Sequence, residues 1–434
     1  MTFVLTALSI CALAPLLPTS DARGQGGPVD PAFEAVRNDP RIGKLLDEIE
    51  ADDSRTFEEQ KRITQIPAPP YKESVRAEYF LGRMRELGFK DAAIDSEGNV
   101  IATRKGTQAR PKLVVSAHLD TVFPEGTDVT VKEKDGAYLA PDDSRGLAAL
   151  LSLIGVLNRS DIETFGDVMF VGTVGEEELG NLRGVKALFR DHRDIDGFIS
   201  VDGLDVGRIV NQGTGSHRYE MIFKGPGGHS FQEFGRPSAV HAMGRAIAKI
   251  AEVQTPADPK TTFTVGTVRG GTSVNAIAAE ARLTLDIRSN DTAELLKVEE
   301  RILGFINEAV TEENRRWNAE TASVEIKLIG DRPAGIVPED SPIVQTTRRA
   351  ITRVARGPQI TLAGSSTDSN MAMSLGIPAV TLAGGGEGGN WHSLTEWYKP
   401  TDAYRGPQVI LLTLLTLVGV DGVSQPTLPV RAAK

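Results

Sequence analysis

Three short apolar runs, each ending on acidic or imidazole side chains, constrain this chain more than any other feature. Leu113-Val114-Val115-Ser116-Ala117 leads into His118-Leu119-Asp120, the run 168–174 into Gly175-Glu176-Glu177, and 198–201 into Asp202-Gly203. Runs of this length without polar alternation read as strands buried on both faces, which occur where helices cover a largely parallel sheet. A mostly apolar helical stretch, 146–157, lies between the first two. The pattern predicts an α/β fold, and in such sheets ligands bind beyond the carboxyl ends of the strands. All three runs place their polar residues there.

A second rhythm interrupts the first. Apolar residues at Val75, Tyr79, Leu81, Met84 and Leu87, closed by Gly88, predict a helix. Over 217–329 the order is instead strand (Tyr219, Met221, Phe223), helix (Val240, Met243, Ile247, Ile250), strands at 261–268 and 281–288, helix at 292–314 and strand at 324–328. That β-α-β-β-α-β order predicts a ferredoxin-like unit inserted into the larger domain. The α/β rhythm then returns with a helix at 342–355, a strand at 377–382 and a terminal helix at 409–418, too short for a membrane span. The expected organisation is a leader at 1–22, catalytic parts at 30–214 and 332–425, and an inserted domain at 215–331.

Composition removes several function classes. Forty-eight basic against fifty-eight acidic residues give a net charge of −10, the wrong sign for nucleic acid or an anionic membrane surface. Cys11 is the sole cysteine, which excludes disulfide scaffolds, thiolate-bound zinc and cysteine nucleophiles. Residues 3–17 are apolar and are followed by Ser20-Asp21-Ala22, the outline of an export signal, so a periplasmic or secreted location is expected, with no membrane span after its removal.

The polar residues at the strand ends have chemistry in common. His118 and Asp120 stand two apart, so they face one side of a strand, and a carboxylate there can take the second ring N–H of a metal-bound imidazole. Singly, His-x-Asp reads as a surface turn, Asp142-Asp143 as a helix cap and Glu176-Glu177-Glu178 as a charged face. Directly after a buried strand, however, several carboxylates are costly unless a cation gathers them. His392 ends a glycine-rich loop, 384–389, that lacks the Lys-Ser/Thr of a phosphate cradle. Two histidines and several acids without thiolates suit zinc, manganese or cobalt. Two divalent cations against three ligating carboxylates leave about one positive charge, enough to hold a bridging hydroxide, and a further carboxylate is free to act as general base. His192, His217 and His241 sit in charged or helical settings and read as structural.

The succession His118-Leu119-Asp120, Asp142-Asp143-Ser144-Arg145-Gly146, Gly175-Glu176-Glu177, Asp202 and His392 resembles the M20 family of dinuclear zinc metallopeptidases, from about residue 55 to 420. The resemblance implies that His118 and Asp202 hold one zinc, Glu177 and His392 the other, and Asp142 bridges them, with a cis peptide after Asp142. It implies that Asp120 steadies His118 and that Glu176 is the base and later the acid. The glutamate triplet admits the pairs 176/177 and 177/178, and the family-like Thr-Val-Gly before it favours the first. Gly225-Pro226-Gly227-Gly228-His229-Ser230 resembles the lid-domain segment whose histidine, here His229, stabilises the oxyanion, often across a homodimer. The segments 270–275 and 286–288 resemble those supplying a substrate-binding Asn275 and a carboxylate-binding Arg288. Arg288 is alternatively a solvated partner of Asp286. Arg145 implies a narrower or more cationic mouth near Asp142, and Gly364-Ser365-Ser366-Thr367-Asp368 resembles a family loop to which no chemical step attaches. The expected activity is that of an exopeptidase on di- and tripeptides, such as an aminopeptidase. Deacylation of N-acyl amino acids on the same site is the alternative, and a peptide-binding protein on a degenerate scaffold is the rival from another class.

Overall fold

The computed structural model describes residues 29–134, 136–139, 144–355 and 359–432. The expected leader at 1–22, with Cys11, lies outside them. Nine strands form one mixed sheet, in the order Ala93–Ile94, Val100–Arg104, Asp167–Thr173, Lys112–His118, Gly197–Val201, Ala379–Leu382, Arg208–Gly213, Gly335–Ile336, with Thr361–Ser365 also paired to Arg208–Gly213. The centre is parallel: Lys112–His118 lies between Asp167–Thr173 and Gly197–Val201, and the latter pairs with Ala379–Leu382. Antiparallel pairing is confined to the flanks. The three apolar runs are therefore neighbours, and all three end on the same edge.

Burial explains their uniform composition. Every residue of Asp167–Thr173 and Gly197–Val201 is buried, as is every residue of the helix Arg405–Val418 after its first, Arg405. The helix Arg145–Arg159 packs on the same core, and Gly146 is what lets its first turn approach the strand ends. A Cβ there would lie 2.5 Å from the Val201 carbonyl oxygen and 3.1 Å from the Ala117 side chain. The helix at Ser74–Glu86 ends, as its spacing predicts, before Gly88 at φ +113°.

The second sheet is antiparallel throughout, in the order Thr261–Gly270, Glu280–Ser289, Gly215–Lys224, Ser323–Arg332. With the helices Ala239–Ala251 and Thr292–Arg316 this is the ferredoxin-like arrangement. Met221, Phe223, Leu283, Leu285 and Ile287 join Ile302 and Ile306 in its core. The alternation that marks the last strand ends at Leu328, but a bulge between Leu328 and Gly330 carries pairing on to Arg332. A third, small sheet was not legible: Glu387–Gly389, Trp397–Lys399, Ala137–Leu139 and Lys132–Lys134 pair antiparallel. Among the described residues no helix is long and apolar enough to cross a membrane.

Candidate metal centre

Chain direction brings the site together. His118 ends the central strand, Glu176 and Glu177 follow the neighbour on one side, and Asp202 follows the neighbour on the other. One ligand atom each from His118, Glu176 and Glu177 lie within 4.8 Å of one another. His392 comes from the small sheet, on the turn between Glu387–Gly389 and Trp397–Lys399, with its Nε2 3.5 Å from Glu177 Oε1. Its backbone stands at φ +60°, and its N–H donates to Glu396 Oε2 at 2.9 Å. The same sheet includes Ala137–Leu139, the strand that precedes Asp142. Asp142 and Asp143, and the cis peptide expected between them, lie outside the described residues.

Asp120 acts differently from the expectation. The His118 ring is fixed by the Asp120 backbone carbonyl, 2.8 Å from Nδ1, whereas the carboxylate oxygen is 3.9 Å away. A carbonyl only accepts, so Nδ1 carries the proton and Nε2 is left as the ligand atom. The buried Asp120 carboxylate instead accepts the N–H groups of Glu176 at 3.0 Å and Glu177 at 2.8 Å. It ties the loop that bears both glutamates to the end of the His118 strand.

The electrostatics show a site short of positive charge. Burial pushes Glu176 well above the ordinary carboxylate range, against the pull of Arg332, and pushes Glu177 up against the pull of His118 and His392. Burial pulls His118 down, but Asp202 and Asp120, then Glu176 and Glu177, outweigh it and hold the ring well above its usual value. Asp368, wholly buried, is pushed up to about 7 by desolvation, opposed by a hydrogen bond from Thr173. Nitrogen and oxygen donors with excess negative charge fit a hard or borderline divalent cation.

His118, Glu176, Glu177, Asp202 and His392 floor a cavity of about 1290 Å³ whose far wall is the helix-free face of the second sheet. Arg218, Asp286 and Arg288 line it, with Asp286 shared by Arg218 Nε at 3.2 Å and Arg288 Nε at 2.6 Å. Glu178 is exposed at its rim. His229 and Asn275 do not line it. They lie together on the second domain, where Gly228–His229 pairs with Ala276–Ile277 and Ser230 N–H donates to the Asn275 carbonyl at 3.0 Å. Both are exposed. Arg145 is not at the mouth: it is fully buried and donates to the carbonyls of Gly384 and Ala403, each at 2.8 Å, with Asp53 at 3.2 Å.

The sequence model of peptidase family M20/M25/M40 matches residues 114–416, more than two thirds of the chain. The chain belongs to this family. It is a hydrolase of the metallopeptidase and metal-dependent amidohydrolase type. The uncharacterised protein YqjE of Bacillus subtilis is 27% identical over 351 residues, covering 77% of this chain and 91% of its own. The N-formyl-4-amino-5-aminomethyl-2-methylpyrimidine deformylase of the same organism is 27% identical over 76% of this chain and 87% of its own. A solved tripeptidase of Staphylococcus aureus shares the fold with a TM-score of 0.70 at 22% identity, over 83% of this chain and 97% of that one.

Within this M20 chain, two arginines near the centre escaped the reading of the sequence, and Asp368 was noted only as part of a family-like loop without a role. Arg332 reaches Glu176 from the bulged strand end, with Nη1 3.2 Å from Oε1. Arg218 faces the cavity, because Tyr219 and Met221 on either side of Glu220 face the helices. Asp368 and Thr173 form a buried pair behind His118. The alternation of Gly215–Lys224 was a signal for Arg218; nothing local announced Arg332, and nothing local linked Asp368 to Thr173. His217, read as structural, bonds Glu299 at 2.8 Å and faces Asp331 at 3.4 Å.

Proposed function

We propose that this protein is an exopeptidase acting on small peptides through two divalent cations, zinc foremost. The observation that carries the reading is the meeting of His118, Glu176, Glu177, Asp202 and His392 at one sheet edge under a large cavity. His118 and Asp202 would hold one ion, Glu177 and His392 the other, with Asp142 between them. When bound, such a pair supplies Lewis acidity at the scissile carbonyl and makes a water acidic enough to attack at neutral pH. Glu176, held by Arg332 through one oxygen, takes the proton from that water and passes it to the leaving amine. The guanidinium of Arg288 grips the carboxylate end of the substrate, and the cavity exceeds the usual ligand pocket, leaving room for two or three residues.

Likeness to a deformylase favours a second reading, removal of an N-acyl group by the same residues. A panel of di- and tripeptides against N-formyl and N-acetyl amino acids, run after chelation and again after zinc is restored, separates them. Peptide turnover at least ~10-fold faster in kcat/KM supports the first, and the reverse order establishes the second.

We further propose a homodimer in which His229 enters the partner's cavity and stabilises the oxyanion. The support is its exposed setting beside Asn275, with Phe231 86% and Val274 103% exposed on the same edge. Mixing inactive His229→Ala and Glu176→Gln chains should then restore about a quarter of wild-type activity, since half the dimers carry one intact site of two. Heterodimers without activity, or a fully active monomer, would remove His229 from the site.

A further inference from the structure

Glu176 is gripped by the last residue of the second sheet, Arg332, one position past the boundary at 331 expected for the inserted domain. Arg332 is 4% exposed, and its Nη1 donates to Glu176 Oε1 and to Ser366 Oγ, each at 3.2 Å. Its Nη2 bonds the Glu176 carbonyl and lies 3.3 Å from the Glu178 carbonyl. The same loop is held at further points by the second sheet: Arg218 bonds the Glu178 carbonyl, and the Asp331 N–H donates to Asn181 Oδ1 at 2.7 Å. Left to itself this loop is poorly determined, because Glu178, Asn181 and Leu182 all have positive φ, at 43°, 58° and 58°. Such conformations persist only where the surroundings over-determine them. Here two arginines from another sheet do so.

We propose that Arg332 is a positioning residue for the base: it sets the direction of the Glu176 carboxylate and makes that direction depend on the seating of the inserted domain. The inference rests on Glu176 being the base. The fork engages Oε1, and among the described residues no hydrogen bond is made by Oε2, which leaves that oxygen to meet the attacking water. The planar guanidinium spans a carboxylate, a hydroxyl and two carbonyls at once, a geometry that a lysine ammonium cannot reproduce. A second sheet that shifts away from the catalytic domain withdraws Arg332, and the base loses its aim before any metal ligand is disturbed.

The test uses the full-length, zinc-loaded enzyme with a dipeptide and its C-terminal amide. Arg332→Ala should lower kcat ~10²-fold, with KM within about threefold and zinc content unchanged, since misplacing a reacting group by about 1 Å costs that much. Millimolar guanidinium should restore part of kcat to Arg332→Ala and none to wild type. Arg332→Lys, the variant to use if the alanine form does not fold, should keep the defect. A large rise in KM with kcat intact, confined to the free-carboxylate substrate, would overturn the proposal by making Arg332 a substrate anchor. Unchanged kinetics would overturn it too. Glu176→Gln measured alongside keeps the two ideas apart: if that variant is inactive and Arg332→Ala is normal, only the positioning role fails, whereas an active Glu176→Gln removes the base itself.

Discussion

Glu176→Gln is expected to lower kcat by about 10²- to 10⁴-fold while leaving the metal content and the melting temperature near wild type. The substitution keeps the shape of the side chain and removes the ability to accept and return a proton. Its surroundings should survive it. The loop is held by the Glu176 and Glu177 N–H groups donating to Asp120, and by Arg332 on backbone carbonyls, none of which requires the carboxylate. The contrast is Glu177→Gln, which should lose metal, because Glu177 lies between His118 and His392 and, among the described residues, no arginine bonds its carboxylate. Metal analysis of the two purified variants, with kcat and KM for one dipeptide, distinguishes base from ligand. Loss of metal from Glu176→Gln would make it a ligand, and undiminished turnover would leave it without a chemical role.

The parts of this centre that were legible in the sequence are those fixed by burial. Strands such as Asp167–Thr173 are covered on both faces, so they must be apolar throughout, and the acids that follow them stand out. Parallel neighbours then place every carboxyl end on one edge, which is why His118, Glu177 and Asp202 could be grouped without any structure. What stayed hidden depends on short or irregular pieces. The sheet that carries His392 is built from three-residue strands rich in glycine and charge, which show no period. Arg332 escaped because the bulge after Leu328 breaks the alternation four residues before it. Asp120 was found for its residue type, but its use depends on a hydrogen bond to a loop 56 residues away, which no spacing rule supplies.

Chelating the metal should abolish turnover and also destabilise the protein, by an amount that grows with pH. Three carboxyl groups at the centre, Glu176, Glu177 and Asp368, are raised first of all by burial. For an acid the sign is definite: when the folded state holds the proton more tightly than the unfolded chain, stability falls as pH rises between the two pKa values. For Asp368 that window runs from 3.8 to about 7, which corresponds to on the order of 4 kcal/mol at most. His118 adds in the same direction, since its stabilising proton, favoured by the charges of Asp202 and Asp120, is fully present below 6.5 and lost as pH climbs through the raised value. The chelated protein therefore weakens steadily above about pH 4. Metal reverses this by taking the place of the protons on its ligands Glu177 and His118 and by favouring the charged forms of Glu176 and Asp368 through its own charge, and contributes about 4 kcal/mol per site at a thousandfold excess over Kd. The gap in melting temperature between loaded and chelated protein should thus be small at pH 5 and widest at pH 8. Asp368→Asn should flatten the decline in the chelated form, because it removes a buried charge and retains the shape that meets Thr173. Melting curves at four or five pH values, with and without chelator, decide it: a gap that stays constant or narrows as pH rises would mean that the carboxylates do not gather around a cation.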